Sequence, residues 1–247
     1  MKFVITAGPT REHLDPVRFL SNPSTGKMGF AIAAEAARRG HEVTLVAGPV
    51  ALKTPKGVRR VDVVSARDML AAVEQELGVA RGSRGSGSSR DSRSSSFSRN
   101  SRGSRVSSLR APETVLVATA AVADWRPARC AAKKLKKGEM SPTLQLVRNP
   151  DILKTISAIR KRSKALDGLR LIGFAAETND VLAEASRKCR EKGLAFIVAN
   201  DVTQKGCGFG TDTNQVTFVF PDGTERRFPL MTKRMVARRI IDESTRL

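Results

Sequence analysis

The chain has 247 residues, 40% of them hydrophobic, which suffices for one large globular domain or for a domain carrying an insert. No stretch approaches the ~20 apolar residues that a membrane-spanning helix requires. The N-terminal apolar run is too short for a secretory leader, so a cytoplasmic protein is expected. A formal net charge of +20 points to anionic partners, either nucleic acid or phosphorylated small molecules. Residues 81–111 hold eight Arg and one Asp, so +7 of that charge sits in this stretch and +13 remains for the rest. Cys130, Cys189 and Cys207 are far apart and form no Cys-x-x-Cys pair, which fits neither a disulfide framework nor a zinc site. Three free thiols in a reducing compartment are expected.

In chain order, short apolar runs at residues 3–6, 43–47, 115–119, 171–174 and 196–199 read as buried strands, with a weaker sixth at 61–64. They lack polar alternation and end near Gly, Ala or Asn, as strands covered on both faces do. Helical patterns lie between them. Residues 29–39 are Ala-rich and stop at Gly40, and 66–77 place Met69, Leu70, Val73 and Leu77 on one face. Further helices are expected at 151–162, 180–192 and 231–244. The alternation predicts a three-layer, doubly wound, Rossmann-like α/β domain with a mainly parallel sheet, in which ligands collect beyond the carboxyl ends of the strands.

Two stretches interrupt the alternation. Residues 216–220 and 226–230 flank Pro221-Asp222-Gly223 and predict a β-hairpin that extends the sheet at an antiparallel edge. Residues 81–111 contain thirteen Ser, eight Arg and four Gly among 31 positions. So little apolar content cannot offset the entropy of ordering, and a disordered insert in a single domain spanning 1–247 is expected. Nucleic acid is not an expected partner except through this insert.

The candidate chemistry gathers at the strand ends. Thr6-Ala7-Gly8-Pro9-Thr10 forms a tight turn after the first strand. Asp15-Pro16-Val17-Arg18 follows, then Ser21-Asn22-Pro23-Ser24-Thr25-Gly26-Lys27-Met28-Gly29 leads into the Ala-rich helix. Ser24 or Thr25 can cap that helix, and its N-terminus suits phosphate. The order of residues differs from a Walker loop, and Gly-x-Gly-x-x-Gly is missing, which disfavours a nicotinamide or flavin oxidoreductase. The third strand ends in Ala120-Ala121-Val122-Ala123-Asp124-Trp125, followed by Lys133-Lys134-Leu135-Lys136-Lys137-Gly138. Four lysines in five residues suit either a solvated face or a loop that closes over polyphosphate. Arg148-Asn149-Pro150-Asp151 opens a helix with an N-cap candidate and Pro at its first turn. Gly173-Phe174-Ala175-Ala176-Glu177-Thr178 and Ala199-Asn200-Asp201 close two more strands, and Lys188 and Lys192 share a helix face.

Taken in this order, the motifs resemble phosphopantothenoylcysteine synthetase, the ligase half of the bifunctional bacterial coenzyme A biosynthesis protein. The resemblance covers residues 2–76 and 113–245. It implies ligation of 4′-phosphopantothenate to L-cysteine with CTP and Mg²⁺, through an acyl-cytidylate. It further implies a homodimer, with the hairpin as a candidate contact. The flavin-dependent decarboxylase half of the family has no counterpart in these residues, so neither FMN nor decarboxylation is expected.

By matched position the resemblance makes Asn22 and Lys134 catalytic: Asn22 donates to the carboxyl oxygen, and Lys134 lies on a flap over the triphosphate. It places Ser24, Gly26, Lys27, Ala121, Asp124, Phe174, Lys188 and Lys192, with Lys134, at the nucleotide. Gly8, Arg18 and Asn22 fall to the acyl substrate, and Asp151 is a candidate metal ligand. The turn reads Ser24-Thr25-Gly26 where Ser-Ser-Gly is commoner, a change that keeps the hydroxyl.

Overall fold

The computed structural model describes residues 1–79, 113–136, 138, 143–177, 180–201, 203–204 and 206–246. The expected insert at 81–111 therefore lies outside the described residues. In chain order the elements are β1 (Lys2–Ala7), β2 (Arg11–His13), β3 (Phe19–Ser21), α1 (Lys27–Arg38), β4 (Glu42–Ala47), β5 (Arg59–Asp62) and α2 (Ala66–Glu76). Then come β6 (Thr114–Ala118), β7 (Trp125–Pro127), β8 (Leu146–Arg148), α3 (Ile152–Arg160), β9 (Arg170–Glu177), α4 (Val181–Glu191) and β10 (Phe196–Asp201). The last are β11 (Thr213–Asn214), β12 (Val216–Val219), β13 (Glu225–Arg227), β14 (Met231–Thr232) and α5 (Lys233–Arg246).

Eight strands form the central sheet in the order β13-β12-β10-β9-β6-β1-β4-β5. The six from β10 to β5 are parallel, and β12 and β13 add antiparallel at one edge. That edge is the expected hairpin, fused to the sheet through the pairs Ala199↔Thr217 and Val198↔Phe218. From β1 the chain winds outward to β4 and β5, then returns to β6 on the other side of β1 and winds out again. The winding therefore reverses between β1 and β6, which opens a crevice above their carboxyl ends.

Each strand's continuous apolar run is divided between two cores. Phe3, Ile5 and Ala7 of β1 face α1 and α5, packing with Phe30, Ile32, Ala33, Val236 and Ile240. Val4 faces α2, α3 and α4, with Met69, Val73, Ile156 and Cys189. Phe3, Phe196, Phe218, Leu116 and Leu171 are fully buried, each stabilising the fold by about 1.5–3 kcal/mol relative to exposure. The two helical layers over one sheet give the expected three-layer fold.

Three boundaries differ from the sequence expectation. Helix α1 begins at Lys27, and its N-cap is Gly26 in a left-handed conformation (φ 77°), so neither Ser24 nor Thr25 caps it. Ser24 Oγ instead accepts from the Gly26 N–H at 3.4 Å, and Thr25 Oγ1 donates to Phe209 O at 2.7 Å. Helix α3 is capped by Asp151, so Pro150 precedes the cap and does not lie in the first turn. Met231 and Thr232 pair with Asn214 and Thr213, which delays α5 to Lys233. The ribbons β2–β3, β7–β8 and β11–β14 have strands of only two or three residues, too short to produce a periodic signal.

Candidate functional site

The sheet supplies the first wall of the site. After β1 the chain turns through Gly8 (φ 77°), and a side chain on Gly26 would sit 3.4 Å from Gly8's backbone. Two left-handed glycines thus stack the strand-end turn against the helix start. Gly29 is tighter still: a Cβ there would lie 2.5 Å from Ala7 Cβ and 2.6 Å from Thr119 Oγ1. The first turn of α1 is pressed onto the ends of β1 and β6. It has no acidic residue and no side-chain cap, so its N–H groups and dipole keep their affinity for an anion.

The 120–124 segment forms the floor. It runs beside the Gly8–Thr10 turn through a bridge between Pro9 and Ala121, with Ala121 N–H donating to Gly8 O at 2.9 Å. Ala123 N–H donates to buried Thr10 Oγ1 at 3.0 Å. Asn149 fastens the other side, its Nδ2 donating to Ala123 O at 2.8 Å and its N–H to Asp124 O at 2.7 Å. Asn22 reaches across from the first wall, with Nδ2 donating to Ala121 O (3.1 Å) and Val122 O (3.3 Å). Both protons of that amide point at protein carbonyls. Donation to a substrate carboxyl oxygen therefore requires one of these bonds to be exchanged.

The crevice enclosed by these parts is a cavity of about 420 Å³ lined by Asn22, Ala121, Asp124, Asn149, Phe174 and Lys192, among others. A hollow of about 690 Å³ at the opposite end of the sheet, near Lys2 and Glu113, is larger. Location decides between them, because ligands of doubly wound sheets bind beyond the strands' carboxyl ends. Asp151 also lines the crevice. Its carboxylate accepts from Lys154 N–H at 3.0 Å, capping α3, and pairs with Lys192 Nζ at 2.7 Å. Burial pushes this carboxyl up, but Lys192 and the Lys154 N–H outweigh it and leave the pKa below its ordinary value.

Behind Phe174 lies a smaller chamber of about 70 Å³, lined by Ser24, Gly26, Lys27, Asn200, Asn214 and Lys233 with others. It shares Thr119, Phe174, Ala175, Ala176 and Phe209 with the main crevice. Lys27 is engaged with the loop on the far side, its Nζ bonding Gly210 O at 2.9 Å and Asp212 Oδ1 at 2.7 Å.

Other expected residues lie outside both spaces. Lys134 is exposed and lines neither cavity, and Lys137 lies outside the described residues. Arg18 supports the lysine segment instead of lining the crevice. Its guanidinium binds the buried Asp15 carboxylate and donates to Leu135 O at 3.0 Å, while Leu135 N–H donates to Asp15 Oδ2 at 3.2 Å. The Arg18 guanidinium holds the Asp15 carboxyl far below the usual carboxylate range; burial opposes this, and the backbone N–H groups of Val17, Arg18 and Leu135 reinforce it. Lys188 sits one turn before Lys192 on α4 and lines neither space. Sequence reasoning missed Phe209, Asn214 and Lys233, which come from a Gly/Thr-rich loop and its flanks. The only signal there was polar residues next to apolar strand positions.

An open, mainly parallel sheet with a helix start uncapped by any side chain at its switch point defines a Rossmann-like α/β domain whose crevice opens beyond the strands' carboxyl ends. The family model for the DNA/pantothenate metabolism flavoprotein C-terminal domain matches residues 1–81 and 102–247, and the chain belongs to that family. The unmatched residues 82–101 fall within the Arg/Ser-rich stretch.

The chain is 39% identical over 246 residues to the coenzyme A biosynthesis bifunctional protein CoaBC of Escherichia coli strain K12, covering 98% of this chain and 51% of that protein. It is 41% identical over 241 residues to the CoaBC protein of Bacillus subtilis strain 168, covering 97% of this chain and 50% of that one. The chain thus spans about half the length of these relatives. The crystal structure of a CoaBC C-terminal domain superposes with a TM-score of 0.70 at 38% identity, covering 98% of this chain and 92% of that one. A structure of a Cab2 mutant in complex with phosphopantothenate-cysteine shares the fold at 15% identity, with a TM-score of 0.69 and coverage of 99% and 86%.

Proposed function

We propose that the chain is a phosphopantothenate–cysteine ligase of coenzyme A biosynthesis. It activates 4′-phosphopantothenate with CTP and then couples L-cysteine. The observation that carries this reading is the convergence of Asn22, Asp124, Phe174 and Lys192 on one crevice at the sheet's switch point, in a chain that aligns along its length with the C-terminal half of the CoaBC proteins.

In the first step the substrate carboxylate attacks the α-phosphorus of CTP, forming the acyl-cytidylate and releasing pyrophosphate. In the second, the cysteine amine attacks the acyl carbon and CMP leaves with the bonding electron pair. Bringing a carboxylate to a triphosphate joins like charges, so the protein's contribution is chiefly positional and electrostatic. Lys192, the α1 N-terminus and Lys134, brought in from its exposed position, provide positive potential. Asp124 and Phe174 contact the nucleotide with Ala121, and Ser24, Gly26 and Lys27 lie near phosphate. Lys188 adds positive charge one turn from Lys192. Gly8 lets the acyl chain approach the backbone, and Arg18 fixes the base of the lysine segment.

Among the described residues no group of three or more His, Cys, Asp and Glu side chains is placed to hold a metal ion. Mg²⁺ would therefore ride on the triphosphate and water, where it neutralises phosphate charge. Asp151 joins it only by giving up Lys192.

The chain works as a homodimer in the cytoplasm. Among the described residues no helix is long and apolar enough to cross a membrane. Val17, Phe19, Trp125, Leu144 and Leu146 are exposed on and beside β2–β3 and β7–β8, whereas the hairpin stretch exposes Leu230 and its strand β13 is charged through Glu225, Arg226 and Arg227. Exposed apolar area favours the two small ribbons over the hairpin as the contact face.

Pyrophosphate release measured with phosphopantothenate and cysteine, with CTP and ATP in turn, tests the proposal. Release is expected with CTP; none with either nucleotide ends it.

A further inference from the structure

The small chamber behind Phe174 has a chemistry of its own. Among the buried side-chain nitrogen and oxygen atoms of the described residues, two have no hydrogen-bond partner, Asn200 Oδ1 and Asn214 Oδ1. Both side chains are more than nine-tenths buried, and both line this chamber. A buried acceptor left without a donor costs about 1–3 kcal/mol. Two in one chamber mark a place where a ligand brings N–H groups. The opposite wall is the uncapped start of α1, Gly26 to Gly29, which offers N–H donors.

The charges around the chamber narrow the occupant. Lys233 is buried there, its Nζ donating to Gly208 O (3.1 Å), Phe209 O (3.4 Å) and Thr211 O (2.6 Å). Lys27 is the other cation, paired with Asp212. A second full positive charge beside Lys233 is disfavoured, whereas a neutral amine is not. A neutral primary amine has two N–H donors for two amide oxygens and keeps its lone pair. Carboxylates in place of these amides would hold the amine protonated and unreactive. At about 70 Å³ the chamber suits a group of a few heavy atoms and is far too small for a nucleotide.

We infer that Asn200 and Asn214 form the amine subsite of this enzyme, seating the α-amino group of a small amino acid. Its lone pair is directed past Phe174 and Phe209 into the main crevice. This rests on the ligase reading and extends it to the second substrate. The amine leaves its first proton in solvent on entry. As the N–C bond forms and the acyl C–O bond breaks, the leaving nucleotide phosphate takes the electron pair and the second proton passes to water.

Steady-state kinetics of the full chain with separately varied cysteine and CTP test the inference. Asn214→Ala and Asn200→Ala should each raise the KM for cysteine about tenfold, the equivalent of one lost hydrogen bond, while the KM for CTP moves less than twofold. Asn214→Asp keeps the shape of the side chain and serves if the alanine variants do not fold. It should reduce turnover with cysteine at least tenfold by favouring the charged amine. Folded variants in which neither cysteine parameter changes, or in which CTP and cysteine are affected equally, overturn the amine subsite. An unaltered chain that releases no pyrophosphate overturns the ligase reading itself, a result separable from either of those.

Discussion

The start of α1 and the lysine segment are built on opposite principles. The α1 side is packed backbone against backbone: Gly26 lies on Gly8, and Gly29 leaves no room for a methyl group against Ala7 and Thr119. The lysine side is an exposed segment held at its base by Asp15 and Arg18 through Leu135, with Lys134 projecting into solvent. A wall that presents fixed N–H groups to an anion gains from rigidity, since preorganised dipoles need not reorganise during reaction. A lysine that covers a polyphosphate must let the ligand in first. On the ligase reading proposed above, the α1 start would act through its rigidity and the lysine segment through its charge.

The sharpest way to break the comparison is Gly29→Ala. Its Cβ would meet Ala7 and Thr119 at 2.5 and 2.6 Å, so a loss of about 3 kcal/mol is expected, or roughly 6–12 °C in a thermal melt. An unshifted melting temperature would mean that the wall yields and is not rigid. Lys134→Gln is the converse case. Being exposed, it should change stability by less than about 0.5 kcal/mol. Pyrophosphate release should nevertheless fall about 100-fold. Normal activation in this variant would remove the lysine segment from the chemistry.

Asn22→Asp lies between the two. It replaces an NH₂ that bonds Ala121 O and Val122 O with an oxygen that repels them, so the floor loses its tie to the first wall. Acyl-nucleotide should still form, and its onward reaction with cysteine should slow about tenfold in a single-turnover quench. Normal product formation without accumulation would take Asn22 out of the second step.

The smallest effect concerns the far end of α1. Arg38, and then Arg39, hold the nearly buried Glu35 carboxyl down at about 2 against an ordinary 4.5, while burial opposes them. A carboxyl lowered on folding contributes stability above its unfolded pKa, and that contribution is lost as pH falls through the folded value. Between pH 5 and pH 3.5 the unaltered chain should therefore lose about 1 kcal/mol that Glu35→Gln does not, as read from urea midpoints. Parallel pH curves would show that Glu35 is not responsible.

Much of this molecule is legible before any coordinates. Strand runs such as Phe-Val-Ile-Thr and Val-Thr-Leu-Val-Ala are apolar on both faces, and only a sheet covered by helices on both sides accommodates them. The Gly40 stop of α1 and the Pro-Asp-Gly hairpin are equally local, because each depends on the conformational preferences of one or two residues. Asn22, Asp124, Phe174 and Lys192 read individually as turn, strand-end or helix-face residues; the order of the motifs, through the family resemblance, assigned them to one site, and their geometry in the crevice came only with the fold.

What the sequence by itself determined is therefore the alternation of strands and helices and the residue types at each strand end, since short-range periodicity and turn chemistry dictate both. Only the tertiary structure decided that Arg18 serves the lysine segment through Asp15, that Gly26 caps α1 in place of Ser24 or Thr25, and that Asn200 and Asn214 share a chamber with Lys233. Each of these depends on contacts between residues 3 to 184 positions apart or on a backbone angle set by packing, and such relations leave no periodic trace in the chain.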